Sequence, residues 1–459
     1  MHVCSREYNG YSVYDVNICF KQKLRLALVL STANFVHFKF SVFAVLFALF
    51  YALLSSVATA SSSADLMSLP AWQKFSQFDD AGFVVADSKQ KVINSQDASQ
   101  SFIPASTTKL ITALLALQHW GENHRFKTEF YLQQKAGKNI LLVKGYGDPF
   151  LVSEELQMIA QELSSRLIAN GIKRLDVIAL DDSYYQQNLI MPGTGESDNP
   201  YDAIPSALAA NFNTIYIEKR GHQLLSAEPQ TPLTETALYV AKSIKTYRET
   251  KKGQVQRVNL GRNAKLNQRY FAELLADFLT DQSIVVADKV EWQIVGQGSA
   301  KSSYLFYEHV NSRNLAAMVR PMMKYSTNFI ANQMALNLAI EFEGLPANRR
   351  KVQKSYSQLL TEQFKWQSFY IEDGAGLSRK NRLTPVQLLD VLQAFKPWMS
   401  LLPEVESRVF AKSGSLIGVS TLAGYIEKEG ELMPFAIMIN EKGPYRFRNR
   451  LAKELTLVY

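Results

Sequence analysis

Ser106-Thr107-Thr108-Lys109 stands at the head of an apolar stretch, Leu110-Ile111-Thr112-Ala113-Leu114-Leu115. Apolar residues at 110, 111, 114, 115 and 117, followed by Gly121, predict a helix that is buried on a broad face and ended by a glycine. Whatever surrounds that helix must therefore also accommodate a serine and a lysine at its first turn. Positions three apart on an α-helix share a face, so the Ser106 hydroxyl and the Lys109 ammonium can meet without help from a distant loop. A hydroxyl is a poor nucleophile until something takes its proton, and an ammonium held in a dry, cationic site can lose enough basicity to do so. Ser106 also sits near the helix N-terminus, where backbone N–H groups and the dipole favour developing negative charge. Alone, Ser-x-x-Lys also describes an ordinary first helical turn, so residues elsewhere must decide its meaning.

The bulk composition narrows the field. With 459 residues, 47 % hydrophobic and 20 % charged, the chain can bury two or three cores, which excludes disordered, fibrous and multi-span membrane classes. A net charge of +8 suits an anionic partner such as nucleic acid, a membrane surface or an acidic wall polymer. No long Lys/Arg block occurs, so nucleic acid gains no specific support. The cysteines, Cys4 and Cys19, both precede a segment expected to be removed, so the mature chain would have neither disulfides nor thiol chemistry. His119, His124, His222 and His309 show no metal-ligand spacing and read as ordinary surface or core imidazoles; no metal or cofactor is implied.

Residues 1–60 read as an export signal. Lys39 precedes an apolar run from Phe40 to Leu54, and Ala58-Thr59-Ala60 has the small-x-small pattern of a cleavage site after Ala60. The run is shorter than the roughly 20 residues a spanning helix needs. Residues 61–131 then give a helical lead-in at Leu69-Pro70-Ala71-Trp72, strands at 81–86 and 91–94, and the Ser106 helix, which together suggest an α/β or α+β domain.

Between 132 and 303 the texture changes to short strands at 139–143, 176–180, 213–217 and 283–286, interrupted by a helix opened by Ser153 with Glu154 and Glu155 in its first turn. This stretch reads as an inserted, β-rich domain, with Pro192 to Pro200 as a surface loop by composition. From 304 to 459 helical patterns return, one opened by Thr384-Pro385, and strands at 420–428 and 432–440 flank Glu429-Gly430 as a hairpin.

Two further short signals lie in this last part. Tyr325-Ser326-Thr327-Asn328 precedes an apolar helix pattern, and Lys412-Ser413-Gly414-Ser415 opens a strand. Each alone reads as a helix cap or a strand edge. Together, in this order, they resemble the Ser-x-x-Lys, Ser-x-Asn and Lys-Ser/Thr-Gly signature of penicillin-binding proteins and serine β-lactamases. The chemistry suits the residue types: attack on an amide or β-lactam carbonyl needs a nucleophile (Ser106), a proton acceptor (Lys109) and a relay to the departing nitrogen (Ser326). Asn328 can hold a substrate amide, and Lys412 with Ser413 can bind a terminal carboxylate. Gly414 lets the strand approach closely, and the N–H groups of Ser106 and Ser415 can form an oxyanion hole.

The likeness is closer to one branch, the class C low-molecular-mass penicillin-binding proteins, or D-alanyl-D-alanine carboxypeptidase/endopeptidase family. It is carried further by Gly145-Tyr146-Gly147-Asp148-Pro149, by Asn211-Phe212-Asn213, and by Asp373-Gly374-Ala375-Gly376-Leu377-Ser378-Arg379 with Asn381-Arg382-Leu383-Thr384. That family also has a long insertion between its first two motifs, and here Ser326 follows Ser106 by 220 positions. The resemblance implies a penicillin-binding-protein transpeptidase-like domain, peptidoglycan stem peptides as substrate, β-lactams as covalent inhibitors and a periplasmic location. It places Arg379 beside the active site, where its fork suits a stem-peptide carboxylate or, equally, a structural salt bridge holding the loop.

The chain departs from the family in three places. Lys412-Ser413-Gly414-Ser415 stands for Lys-Thr-Gly-Thr and keeps both hydroxyls. Ala375 stands where Ser is frequent, and Thr194 follows Pro192-Gly193 where an aromatic is common. A serine β-lactamase shares the three motifs but is usually compact, without a domain-sized insert. A non-catalytic penicillin-binding sensor or wall-binding module is opposed by the complete motif set. Neither Gly-x-Ser-x-Gly nor Gly-x-Gly-x-x-Gly occurs, which leaves a conventional α/β-hydrolase or a dinucleotide-binding domain without support.

Overall fold

The computed structural model describes residues 65–221, 223–244, 254–296 and 303–459. The expected export segment and both cysteines lie outside these residues. Among the described residues no helix is long and apolar enough to cross a membrane.

The strand Ala81–Ala86 is buried at every position, which explains its unbroken small and apolar run: both faces of its sheet are covered there. On one face Phe83 meets Trp72 and Phe75 of the Pro70–Phe75 helix edge-on, with ring centroids 5.0 and 6.1 Å away. On the other, Val84 and Ala86 join the core formed with Leu388, Val391, Leu392 and Phe395 of the Pro385–Phe395 helix. The sheet has six antiparallel strands in the order 404–406, 409–416, 419–428, 431–439, 81–86, 92–96. The first strand of this fold is therefore zipped onto the last, Glu431–Ile439, with Phe83 opposite Ile437. The 419–428 and 431–439 strands turn at Glu429-Gly430, both at positive φ.

Behind the Pro385–Phe395 helix lie Thr108–Trp120 and Asn328–Glu343. Residues 108–117 and 328–339 of these two helices are buried all round, as expected of elements at the centre of a helical layer. They carry the first and second motifs. A buried helix is a stiff mount, because close packing leaves its side chains little room to relax.

Mid-chain, a second core forms around a five-stranded mixed sheet in the order 290–292, 177–181, 138–145, 127–135, 303–310. Lys127–Lys135 and Ser303–Val310 are antiparallel neighbours, so the chain enters and leaves this region side by side. Ser153–Ala169 and Ala264–Asp281 supply its helices; the second has an Asn263 side-chain cap and buried residues at 267, 268, 270, 271, 272, 274, 275, 278 and 279, a broad helical face that strand-by-strand reading overlooks. A three-stranded antiparallel sheet, 223–226, 214–220, 254–259, completes the same core.

The two cores meet along Asn328–Glu343, whose buried amides reach backbone carbonyls of the mid-chain loops. Asn328 donates to Tyr201, Gln333 to Ser206 and Asn337 to Gly147, each at 3.0 Å. Polar side chains in an otherwise apolar helix are thus accounted for by partners that would themselves be orphaned without them. The resemblance-bearing stretches at 145–149 and 211–213 sit at these joints: Asn211 Oδ1 accepts the Ser153 amide at 2.9 Å and so caps the Ser153–Ala169 helix.

Candidate active site

Ser106 lies in a short 3-10 turn, Ala105–Thr107, that runs directly into the Thr108–Trp120 helix. The turn is held by Pro104, whose carbonyl accepts Thr107 Oγ1 at 2.6 Å and, from across the fold, Thr421 Oγ1 at 2.8 Å. Ser106 is half-buried and Lys109 fully buried. Lys109 Nζ donates to Ser106 Oγ at 3.0 Å, to Asn328 Oδ1 at 2.8 Å and to the Ala375 carbonyl at 2.7 Å. These three acceptors match the three protons of an ammonium.

Burial is the first reason that the Lys109 pKa falls well below the usual lysine value; the charge of Lys412 pushes it lower still, and Asp373 pulls the other way. A lysine so placed gives up its third proton more readily than an ordinary one, and Ser106 is the acceptor whose own hydroxyl proton can then pass to it. The first two motifs thus meet through Lys109 and Asn328. Asn328 spends one Oδ1 lone pair on Lys109 and one Nδ2 proton on Tyr201, which leaves one acceptor and one donor.

Ser326 sits at positive φ between the Leu315–Tyr325 and Asn328–Glu343 helices, half-buried. Lys109 directs none of its three hydrogen bonds to it.

The third motif reaches the same place on the Val409–Leu416 strand. A methyl group at Gly414 would stand 2.8 Å from the Ser106 nitrogen and 2.9 Å from the Pro104 oxygen, so only glycine lets the strand lie this close to the nucleophile turn. Lys412 is buried, donates to the Ser413 carbonyl at 2.5 Å, and is pushed down to about 7 by burial and by the neighbouring Arg448 charge. Both lysines of the site are thus depressed, because both are dry and each faces another cation.

A fourth part of the site is the 373–381 loop, which the family resemblance marks in the sequence without revealing that it reaches Lys109. Asp373, fully buried, accepts the amides of Ala375, Gly376 and Leu377 on Oδ1 and those of Ser378 and the Asn381 side chain on Oδ2. One carboxylate therefore folds 373–381 into a rigid turn, and the turn aims the Ala375 carbonyl at Lys109. Gly376, at φ 78°, packs against the Ala105 carbonyl. Thr112 fastens the turn from below, donating to the Gly374 carbonyl at 2.6 Å while accepting Tyr356 at 2.9 Å.

Beyond Ala375 the same loop lines a cavity of about 810 Å³ with Arg379, Arg349, Arg350, Tyr370 and the hairpin tip Leu416-Ile417. Arg379 is exposed there and donates to the Ile417 carbonyl; it forms no salt bridge among the described residues. Pro192 and Gly193, expected on a plain surface loop, close another wall of this cavity. Asp202 braces their loop by accepting Gly195 N at 2.8 Å.

Known proteins resemble this chain over most of its length. The profile of the D-Ala-D-Ala carboxypeptidase 3 (S13) family matches residues 73–405. The D-alanyl-D-alanine carboxypeptidase of an Actinomadura species is 25 % identical over 437 residues, covering 79 % of this chain and 78 % of that protein. The D-alanyl-D-alanine carboxypeptidase DacB of Haemophilus influenzae is 25 % identical over 455 residues, covering 84 % and 93 %. The crystal structure of penicillin binding protein 4 (dacB) from Haemophilus influenzae superposes with a TM-score of 0.67 at 22 % identity, covering 84 % of this chain and 98 % of that one. The fold is thus that of a penicillin-binding protein with additional sheets, and the chain belongs to the D-Ala-D-Ala carboxypeptidase 3 (S13) family.

Proposed function

We propose that this protein is a serine-type D-Ala-D-Ala carboxypeptidase and DD-endopeptidase that cleaves peptidoglycan stem peptides in the periplasm, and that penicillin acylates it on Ser106. The observation that carries this reading is Lys109: a fully buried lysine of lowered pKa with Nζ 3.0 Å from a serine hydroxyl is a base set beside its nucleophile.

Neutral Lys109 takes the Ser106 proton as Oγ attacks the scissile carbonyl. The Ser106 and Ser415 amides receive the oxyanion, and Ser326 relays the proton held by Lys109 to the departing nitrogen, which leaves Lys109 neutral again. Water then attacks the ester and restores Ser106. The remaining donor and acceptor of Asn328 hold the substrate amide, Lys412 and Ser413 face its carboxylate, and Arg379 faces the stem peptide from the cavity. Residues 132–303 act as an inserted domain whose loops, through Tyr201 and Gly193, form the far wall of the cleft. A relative of this fold, penicillin binding protein 4 of Haemophilus influenzae, has been crystallised with a β-lactam, which supports the same ligand class here.

The test is mass mapping after labelled penicillin, alongside digestion of purified pentapeptide and cross-linked muropeptides. The expected adduct is on Ser106, absent in Ser106→Ala, with loss of one D-alanine or scission of the cross-link. An adduct on another residue overturns the assignment.

A further inference from the structure

The helix Phe447–Leu455 lies beyond the segment matched by the family profile, yet its second residue reaches the third motif. Arg448 Nη1 donates to the Gly414 carbonyl, to Ser415 Oγ at 2.7 Å and to Ser420 Oγ at 3.3 Å. Ser415 and Ser420 are opposite one another in the hairpin, so the guanidinium lies across both strands beside the glycine that touches Ser106. Its Nε is buried without a hydrogen-bond partner, and among the described residues no carboxylate pairs with it. A cation in such a place is costly unless something negative meets it.

The neighbouring charge is Lys412, another cation, and the hydroxyls beside the guanidinium are those of Ser415 and Ser420. Two cations and two hydroxyls with no anion among them form a cradle for a carboxylate. Arginine is the more dependable of the two cations, because it stays protonated throughout the physiological range, and its planar fork fits a carboxylate oxygen pair.

We propose that Arg448 is a substrate-binding residue that, with Ser415, holds the free carboxylate of the residue released on cleavage, and that it makes the enzyme select substrates ending in that carboxylate. This rests on the proposed acyl-enzyme function and assigns the specificity of the same site. Lys412 then serves chiefly to tune Lys109 and to assist the anchor.

The experiment compares acid and neutral forms of two probes in the full-length protein: an acylated D-Ala-D-Ala peptide against its C-terminal amide, and benzylpenicillin against its methyl ester. In R448Q, kcat/KM for the acid peptide and the acylation rate by the acid penicillin should fall about 10- to 100-fold, whereas the amide and the ester change less than about 3-fold. R448K, which keeps charge but not the fork, should fall between. The acid-to-neutral ratio is the quantity read, since a common loss of folded protein cancels from it. Equal losses for acid and neutral probes, or no change for either, overturn the proposal. Wild-type protein that takes neither penicillin form on Ser106 overturns the acyl-enzyme reading itself, and this proposal with it.

Discussion

Replacing Lys412 by methionine should make the protein more stable, by an amount that depends on pH. The side chain is buried, and its pKa falls from an ordinary 10.5 to about 7, first because burial strips water from the ammonium and next because of Arg448. Between those two values the unfolded chain binds a proton that the folded chain does not, so stability rises with pH across this window and is lost as pH falls towards 7. At about 1.4 kcal/mol for each pH unit the full displacement corresponds to roughly 5 kcal/mol. Below pH 7 the wild type bears this cost and Lys412→Met does not. Methionine forfeits the hydrogen bond to the Ser413 carbonyl, which takes back about 1 kcal/mol. The variant should therefore be about 4 kcal/mol more stable at pH 6, and the gap should close progressively up to pH 9.5. Lys109 titrates in both proteins, and the loss of its repulsion from a charged Lys412 adds to the gap in the same sense. The assay is urea unfolding at fixed ionic strength from pH 6 to 9.5, read as midpoint shifts at constant m-value. A gap that stays the same at every pH, or a variant less stable than wild type at pH 6, would refute the reasoning that Lys412 is a desolvated, strained cation.

Three further outcomes are expected. Acylation by penicillin should rise with pH as Lys109 deprotonates, well below the usual lysine range; Lys109→Arg should lose nearly all of it, Lys412→Arg should keep a measurable part, and in Lys412→Met the rising limb should move to higher pH because one cause of the Lys109 shift is gone. Asp373→Asn keeps the shape but sets an N–H donor against the Ser378 and Asn381 donors, so urea unfolding should show a loss of about 2–4 kcal/mol, with Asp373→Ala losing at least as much. Arg379→Ala should lower stem-peptide turnover several-fold while penicillin acylation and the thermal midpoint stay near wild type; a lowered midpoint with unchanged turnover would mean that its bond to the Ile417 carbonyl is its whole role.

What could be read from the chain alone was whatever neighbours within four positions decide. Ser106 and Lys109 meet because a helical turn brings positions three apart together, Thr384 closes a full capping box with Gln387 three residues on, and Glu429-Gly430 turns a hairpin. The Ala264–Asp281 helix carries the same kind of local signal, an Asn263 cap and a helical apolar period, within a stretch whose composition otherwise favours strands. Tertiary structure alone decided the chemistry of the pair. Asn328 and Ala375 reach Lys109 from 219 and 266 positions away, Asp373 aims Ala375, and Arg448 arrives from a helix after the last motif. Periodicity and capping are written in local backbone geometry, but a pKa is set by how much water burial removes and by which charges the rest of the chain brings close. For Lys109 and Lys412 neither quantity exists until the six-stranded sheet and the two buried helices have closed around them.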